Sequence, residues 1–312
     1  MKDYSIKSIR EDFKSKGVFY TPKELALTLK SYIDTPYKNV YDPTCGRGNL
    51  LSVFEEGIEK YGQDINENEV QIARETIPNF KGMVGDTLKE PAFMDMKFDC
   101  IVANPPFSVK WEQKTDIRFE NAPCLPPASK ADYAFLLHIM HLLSDSGTAA
   151  VLNFPGIAYR KASEGKIRQY MVEQNWIDKV VHIPGDKFTD TKIATLILVL
   201  KKNKATTDIE FIDTELDKNN IVSISQVAEN DYSLSINNYI EKEIVKEHID
   251  PLQLERDIRA NILSSVRQEL ELSKLIYELE GSEAFGMKDF ITELEKVIKE
   301  YKEKVWQQQE VF

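Results

Sequence analysis

Cysteine is scarce in this 312-residue sequence: Cys45, Cys100 and Cys124 form an odd set with no C-x-x-C spacing, which suggests neither a disulfide framework nor a zinc site. Histidine is as rare, with 4 in the whole chain, and no structural metal is expected. Long apolar runs are missing as well. The longest, IATLILVL at 193–200, falls far short of the ~20 residues a membrane helix needs, and the opening MKDYSIKSIRED is too polar for a secretory signal. A cytoplasmic protein without membrane association is therefore expected. Basic residues are outnumbered, and the net charge is −11. Most of the acidic excess lies beyond residue 200. The near-neutral body can still carry a basic cleft, whereas an acidic tail repels DNA and suits a protein partner. The remaining composition, 42% hydrophobic and 29% charged, fits one large core with a smaller appendage.

From residue 39 onward short apolar runs alternate with helical stretches: NVYD and a helix near 48–57, IEKYGQDI and a helix at 67–76, KGMVGD, FDCIVA and a helix at 131–143, GTAAVLNF and a helix at 163–174, then DKVVHIP and IATLILVL. Several runs are continuously apolar rather than alternating, which indicates strands covered on both faces, and the interleaved helices make β-α units. The fold class expected is α/β, a doubly wound Rossmann-like, mostly parallel sheet with a C-terminal helical hairpin. Residues 1–205 should form the catalytic domain, 206–247 an edge strand (TDIEFID) and linker, and 248–312 a helical docking tail. Asp250, Pro251 and Gln253 suit N-cap, N1 and N3 of a helix. Leu263, Val266 and Leu270, and then Phe290, Leu294, Val297 and Tyr301, make apolar stripes about a turn signal at GSEAFG. Near the N-terminus, Thr21, Pro22 and Glu24 read as the capping box of a helix running to about residue 33.

Ligands bind such sheets at the carboxyl ends of the strands, and that is where DPTCGRG, GQDIN, GDT and NPPF fall. Two glycines, Gly46 and Gly48, at a strand-to-helix turn let a ligand approach the backbone and meet helix N–H groups. The full G-x-G-x-x-G fingerprint is absent, since position 51 is Leu. Asp64 ends the second strand, where an acid can accept hydrogen bonds from a ribose. Asp86 could accept an adenine amino group or be a plain turn aspartate. NPPF poses its own question, because proline has no N–H and restricts the residue before it. It is either a common turn or a stiff one that holds an amide, a carbonyl and an aromatic face for a substrate.

FYTP (19–22), DPTCGRG (42–48), the acid of GQDIN, GDT (85–87) and NPPF (104–107), in this order, resemble the motifs of S-adenosylmethionine-dependent N6-adenine DNA methyltransferases. The resemblance continues through KADYAFLLHIMHLLSDSGTAAVLNFPG, EGKIRQYMVEQN and VVHIPGDKFTDTKIATLILVLKK, which are similar to the modification subunits of type I restriction-modification systems. It covers roughly residues 10–240. It implies S-adenosyl-L-methionine as cofactor, with Phe19, Tyr20 and Thr21 beside the methionine part, Thr44, Cys45 and Gly46 under it, Asp64 on the ribose and Asp86 on the adenine. Asp42, Gly48, Ile65 and Thr87 complete the implied cofactor set. Thr44 and Arg47 stand where small residues are common in the family, and position 64 is Asp where Glu is common. A cationic Arg47 is unhelpful beside a sulfonium unless it points away.

The resemblance also implies a chemistry. Adenine N6 is a poor nucleophile inside a stacked duplex, so the base must be flipped out. Phe107 can stack on it, while the Asn104 side-chain oxygen and the Pro105 carbonyl accept the two N6 hydrogens and Pro106 stiffens the turn. Positioning and electrostatics then suffice without a strong base. In the long segment 108–130, Lys110, Lys114, Arg118 and Lys130 are candidate phosphate contacts, with Trp111 or Phe119 supporting the displaced strand. The large helical N-terminal domain of the family and a sequence-reading insertion are both expected to be missing. Double-stranded DNA, a separate specificity subunit on the C-terminal helices and a restriction subunit are the partners implied. A methyltransferase for RNA or protein glutamine, or a silent scaffold, are the alternatives.

Overall fold

A computed structural model describes residues 21–185, 194–241, 250–280 and 287–306. The chain divides into two compact units, residues 1–242 and 243–312. The first is built on one nine-stranded sheet of order β3-β2-β1-β4-β5-β7-β6-β8-β9. Its elements in chain order are α1 (Lys23–Ser31), β1 (Asn39–Asp42), β2 (Glu59–Asp64), α2 (Glu67–Thr76), β3 (Phe80–Val84), β4 (Phe98–Ala103), α3 (Asp132–Leu142), β5 (Leu143–Asn153), α4 (Ala162–Glu173), β6 (Ile177–Ile183), β7 (Thr195–Lys201), β8 (Ile209–Asp213), β9 (Lys218–Val222) and α5 (Ile224–Glu229). Strands β3, β2, β1, β4 and β5 run parallel, β6 and β8 are also parallel, and β7 is antiparallel to both β5 and β6.

The continuous apolar runs fill two cores, one on each face of the sheet. In β5, Ala149 and Val151 join the core that holds α3 and α4, while Ala150 and Leu152 join the one under α1 and α2; in β7, Leu198 and Leu200 face the first and Ile197 and Val199 the second. That is the period of two expected of a strand, with both faces covered because helices lie on both. Helix α3 is buried almost all round, with only His141 partly exposed, which explains why its sequence lacks a polar face. Each such aliphatic side chain is worth roughly 1.5–3 kcal/mol when fully buried.

Three local expectations differ. The helix near 48–57 is a single 3-10 turn, Leu51–Val53, after which Phe54 turns extended. Phe54 is buried edge-on to Tyr37 at 5.6 Å between centroids, and that packing ends the turn. The capping box at Thr21 does not form. Pro22 occupies the N-cap position of α1 with no side-chain cap, because the Thr21 hydroxyl is used elsewhere. TDIEFID is not an edge strand, since β9 pairs with it antiparallel and carries the sheet past residue 205. Within 206–247, α5 is closed by a capping box on Ser223 and Gln226.

The second unit contains α6 (Pro251–Glu280) and α7 (Met287–Trp306). Asp250 Oδ1 accepts the Leu252 amide at 2.9 Å, as an N-cap should, but the Gln253 amide turns forward to Asp257 and leaves the box open. Of the apolar stripes, Leu263 (68%), Leu270, Phe290 and Val297 (56%) are exposed, while Val266 and Leu294 are half-buried. The turn at 281–286 lies outside the described residues.

Gly147 tests the β4–β5 packing. A Cβ there would stand 2.8 to 2.9 Å from the carbonyl oxygens of Asp99 and Phe98 and from a Leu143 methyl. Gly147→Ala is expected to lower stability by about 2 kcal/mol, read as a reduced urea midpoint; an unchanged midpoint would contradict this packing.

Candidate active site

The strand order reverses between β1 and β4, whose carboxyl ends lie side by side. The loop leaving β1 is the glycine turn. Gly46 has φ +49° and Gly48 φ +81°, left-handed values that favour glycine. The Cys45 amide donates to Gln63 O at 2.9 Å and the Gly46 amide to Asp64 Oδ2 at 2.8 Å, which fastens the loop to the end of β2. Asp64 Oδ1 accepts the Asn66 amide at 2.9 Å. Among the described residues, nothing lies within 4 Å of a Cβ built on Gly46, so they leave the turn open there. Ile65, beside it, is 73% exposed.

Asp42 is buried at the end of β1, with Oδ1 accepting the Thr44 amide at 2.9 Å. Burial pushes its carboxyl up to about 8, against the Thr44 amide and with the help of the Asp64 charge. Burial likewise pushes the Cys45 thiol up, so it is no nucleophile at neutral pH. The Arg47 Nε and Nη2 donate to the two Glu69 carboxylate oxygens at 2.9 and 3.0 Å. Glu69 thereby offsets the positive charge of Arg47 beside the glycine turn. Asp86 Oδ1 accepts the Leu88 and Lys89 amides, a turn role, and the buried Thr87 hydroxyl donates to Pro43 O at 2.5 Å. Phe19 and Tyr20 lie outside the described residues.

At the end of β4, Asn104 Nδ2 donates to the Thr21 hydroxyl oxygen at 3.1 Å. The amide is thus oriented with its nitrogen spoken for and Oδ1 left as acceptor. Thr21 in turn accepts the Asn49 side-chain amide on its carbonyl at 3.1 Å, so the start of α1 joins the glycine turn to the NPPF turn. Pro105 is buried, Pro106 exposed and Phe107 half-buried against the core beneath α1.

Segment 108–130 departs most from expectation. Arg118 is not a phosphate contact. Its side chain is fully buried, paired with Asp116 at 2.6 Å and donating to the carbonyls of Thr87 and Leu88. It also donates to His138 Nδ1 at 3.2 Å, and His138 Nε2 lies 3.2 Å from the Tyr41 hydroxyl. Burial, with the Arg118 cation beside it, drops the His138 imidazole to about 3. The ring is therefore neutral and braces the loop after β3 against β1. Phe119 is also buried and so is not placed to support a strand of DNA; Trp111 packs on it half-buried, with its Nε1 donating to Pro127 O. Lys130 pairs with Glu164 at 3.6 Å. Lys110 and Lys114 remain exposed, Lys114 with its Nζ 3.4 Å from Lys89 O.

Residues 3–221 match the family described as N-6 DNA Methylase. The chain belongs to this family. It is 34% identical to the MpnII methylase subunit of a type I restriction enzyme from Mycoplasma pneumoniae, over 76% of this chain and 55% of that protein. It is 28% identical to the HindI methylase subunit from Haemophilus influenzae, over 64% of this chain and 50% of that one. A type I restriction-modification methyltransferase subunit from Streptococcus thermophilus superposes with a TM-score of 0.64 at 29% identity, covering 72% of this chain and 59% of that structure. The chain spans about half the length of the curated relatives it matches.

Three partners of the site carried no local mark. Asn49, directly after the glycine motif, donates to the Thr21 carbonyl, while Asp132 and Arg160 meet Ser108 from 24 and 52 positions away.

Asp42 yields a pH signature. Its folded value exceeds the ~3.9 of an unfolded aspartate, so between those values the native chain holds a proton the unfolded chain has lost, and stability from this group falls as pH rises. The stability of Asp42→Asn relative to wild type, from urea titrations, is expected to improve between about pH 5 and about pH 8. A difference independent of pH would contradict the raised carboxyl.

Proposed function

We propose that this chain methylates N6 of an adenine flipped out of double-stranded DNA, with S-adenosyl-L-methionine as the donor, as the modification subunit of a type I restriction-modification system. The observation that carries this reading is the oriented Asn104 amide at the lip of the β1–β4 crevice. The names of the relatives, methylase subunits of type I restriction enzymes, support it independently.

The cofactor fits the residues present. The open space over Gly46 admits a group against the backbone, and Asp64 keeps an acceptor lone pair on each oxygen beyond its amide bonds, suited to ribose hydroxyls. Asp42, Thr44, Cys45 and Gly48 shape the floor, Ile65 offers an apolar face, and Asp86 with Thr87 closes the far side. Phe19 and Tyr20 are proposed to cover the methionine part. When bound, S-adenosylmethionine supplies an electrophilic methyl on a sulfonium.

The chain's own groups do the rest. Asn104 Oδ1 and the Pro105 carbonyl accept the two hydrogens of adenine N6, which turns the nitrogen lone pair out of conjugation with the ring. Phe107 stacks on the base, a contact worth ~1–3 kcal/mol, and helps offset the few kcal/mol of unstacking. Lys110 and Lys114 are the cations in reach of phosphate. Helices α6 and α7, with Leu263, Leu270, Phe290 and Val297 exposed, are proposed to dock on a specificity subunit, which reads the sequence and can recruit a restriction subunit.

DNA treated with the full chain and its co-purifying subunits, digested to nucleosides and analysed by mass spectrometry, is expected to contain N6-methyladenine. Asn104→Ala should slow its appearance about 10²-fold or more. Methyl groups on cytosine, or an unaltered rate in the variant, would contradict the reading.

A further inference from the structure

Immediately after Phe107 the backbone enters a conformation that serine seldom adopts. Ser108 has φ +51° and is buried, so its surroundings must hold it there. The Ser108 amide donates to Asp132 Oδ1 at 3.1 Å, and next to it the Ala131 amide donates to Val109 O at 2.8 Å. Asp132 is only 3% exposed, and its Oδ2 has no hydrogen-bond partner. The nearest compensation for that oxygen is the Arg160 guanidinium, with Nη1 at 3.7 Å. Arg160 Nη2 donates to the Ser108 hydroxyl at 3.0 Å, while Nη1 also meets Glu164 Oε1 at 3.3 Å. The guanidinium lies 5.7 Å from the Phe154 ring centroid and directly over Gly156, where a Cβ would come within 2.8 to 2.9 Å of Nε, Cζ and Nη2.

Three elements thus converge on one turn: the N-terminus of α3, the exit of β5 and the N-terminus of α4. A buried, incompletely satisfied carboxylate is costly, and here it sits at the exit of the proposed substrate clamp rather than deep in the core. We propose that Asp132 and Arg160 are positioning residues that fix the backbone direction after Phe107 and thereby hold the Asn104–Phe107 turn in register for methyl transfer. This inference rests on the methyltransferase reading of the site. Neither side chain touches substrate; each acts through Ser108.

The test uses the full chain with its co-purifying subunits and four variants: Asp132→Ala, Asp132→Asn, Arg160→Met and Gly156→Ala. Gly156→Ala disturbs the bracket by displacing the Arg160 guanidinium, without altering residue 108, 132 or 160. Hydrogen exchange of the amides of residues 107–110 is compared with exchange elsewhere, alongside kcat and the KM for cofactor. Asp132→Ala, Arg160→Met and Gly156→Ala are expected to speed exchange in 107–110 selectively and to lower kcat about 10- to 100-fold, with KM for cofactor within about threefold. Asp132→Asn keeps the Oδ1 acceptor for the Ser108 amide and should recover most of kcat. Exchange in 107–110 that stays at wild-type rates in Asp132→Ala and Gly156→Ala would overturn the inference, as would exchange raised equally throughout the chain. If the wild type leaves no N6-methyladenine, the proposed function fails, while the exchange data still decide whether Asp132 and Arg160 hold the turn.

Discussion

Two parallel strands, β1 and β4, lie side by side and the chain leaves their ends in opposite directions. Chain connectivity alone then opens a crevice between the glycine turn and the NPPF turn. Everything chemical in the molecule is arranged around that crevice. The Thr21–Asn104 hydrogen bond and the Asn49–Thr21 bond span it at the start of α1, and the Thr87–Pro43 bond closes the side toward β3. These short polar links tie its two lips together.

The electrostatics follow from the same arrangement. Asp42 and Asp64 end neighbouring strands, β1 and β2, and burial lets Asp42 hold a proton at neutral pH. Arg47, the cation closest in sequence, is paired with Glu69 on α2, which offsets its charge. Behind the wall, Arg118 is enclosed by Asp116, two backbone carbonyls and a neutral His138. A cation in that position works as a brace between loops, not as a hand for phosphate.

Much of this was legible in the sequence, for reasons that are local. Continuous apolar runs such as FDCIVA mark strands buried on both faces, and β4 is one; Gly46 and Gly48 take left-handed φ values that glycine tolerates best; an Asn-Pro-Pro after a strand ends it at Ala103. What was not legible depends on tertiary contacts. Nothing near Arg118 distinguishes a buried guanidinium from a solvated one. Thr21 has the sequence of a helix cap, yet its hydroxyl meets a side chain 83 positions away. The helix near 48–57 fails because burying Phe54 competes successfully with helix continuation, and β9 was missed because KNNIV is mostly polar at a sheet edge.

The Thr21 hydroxyl holds the Asn104 amide by its nitrogen and leaves Oδ1 as the acceptor. Single-turnover methyl transfer by Thr21→Val, which keeps the shape and loses the acceptor, should be compared with Thr21→Ser, which keeps the acceptor. The valine variant is expected to be about tenfold slower than wild type, with the serine variant close to it. Equal rates for valine, serine and wild type would contradict the account.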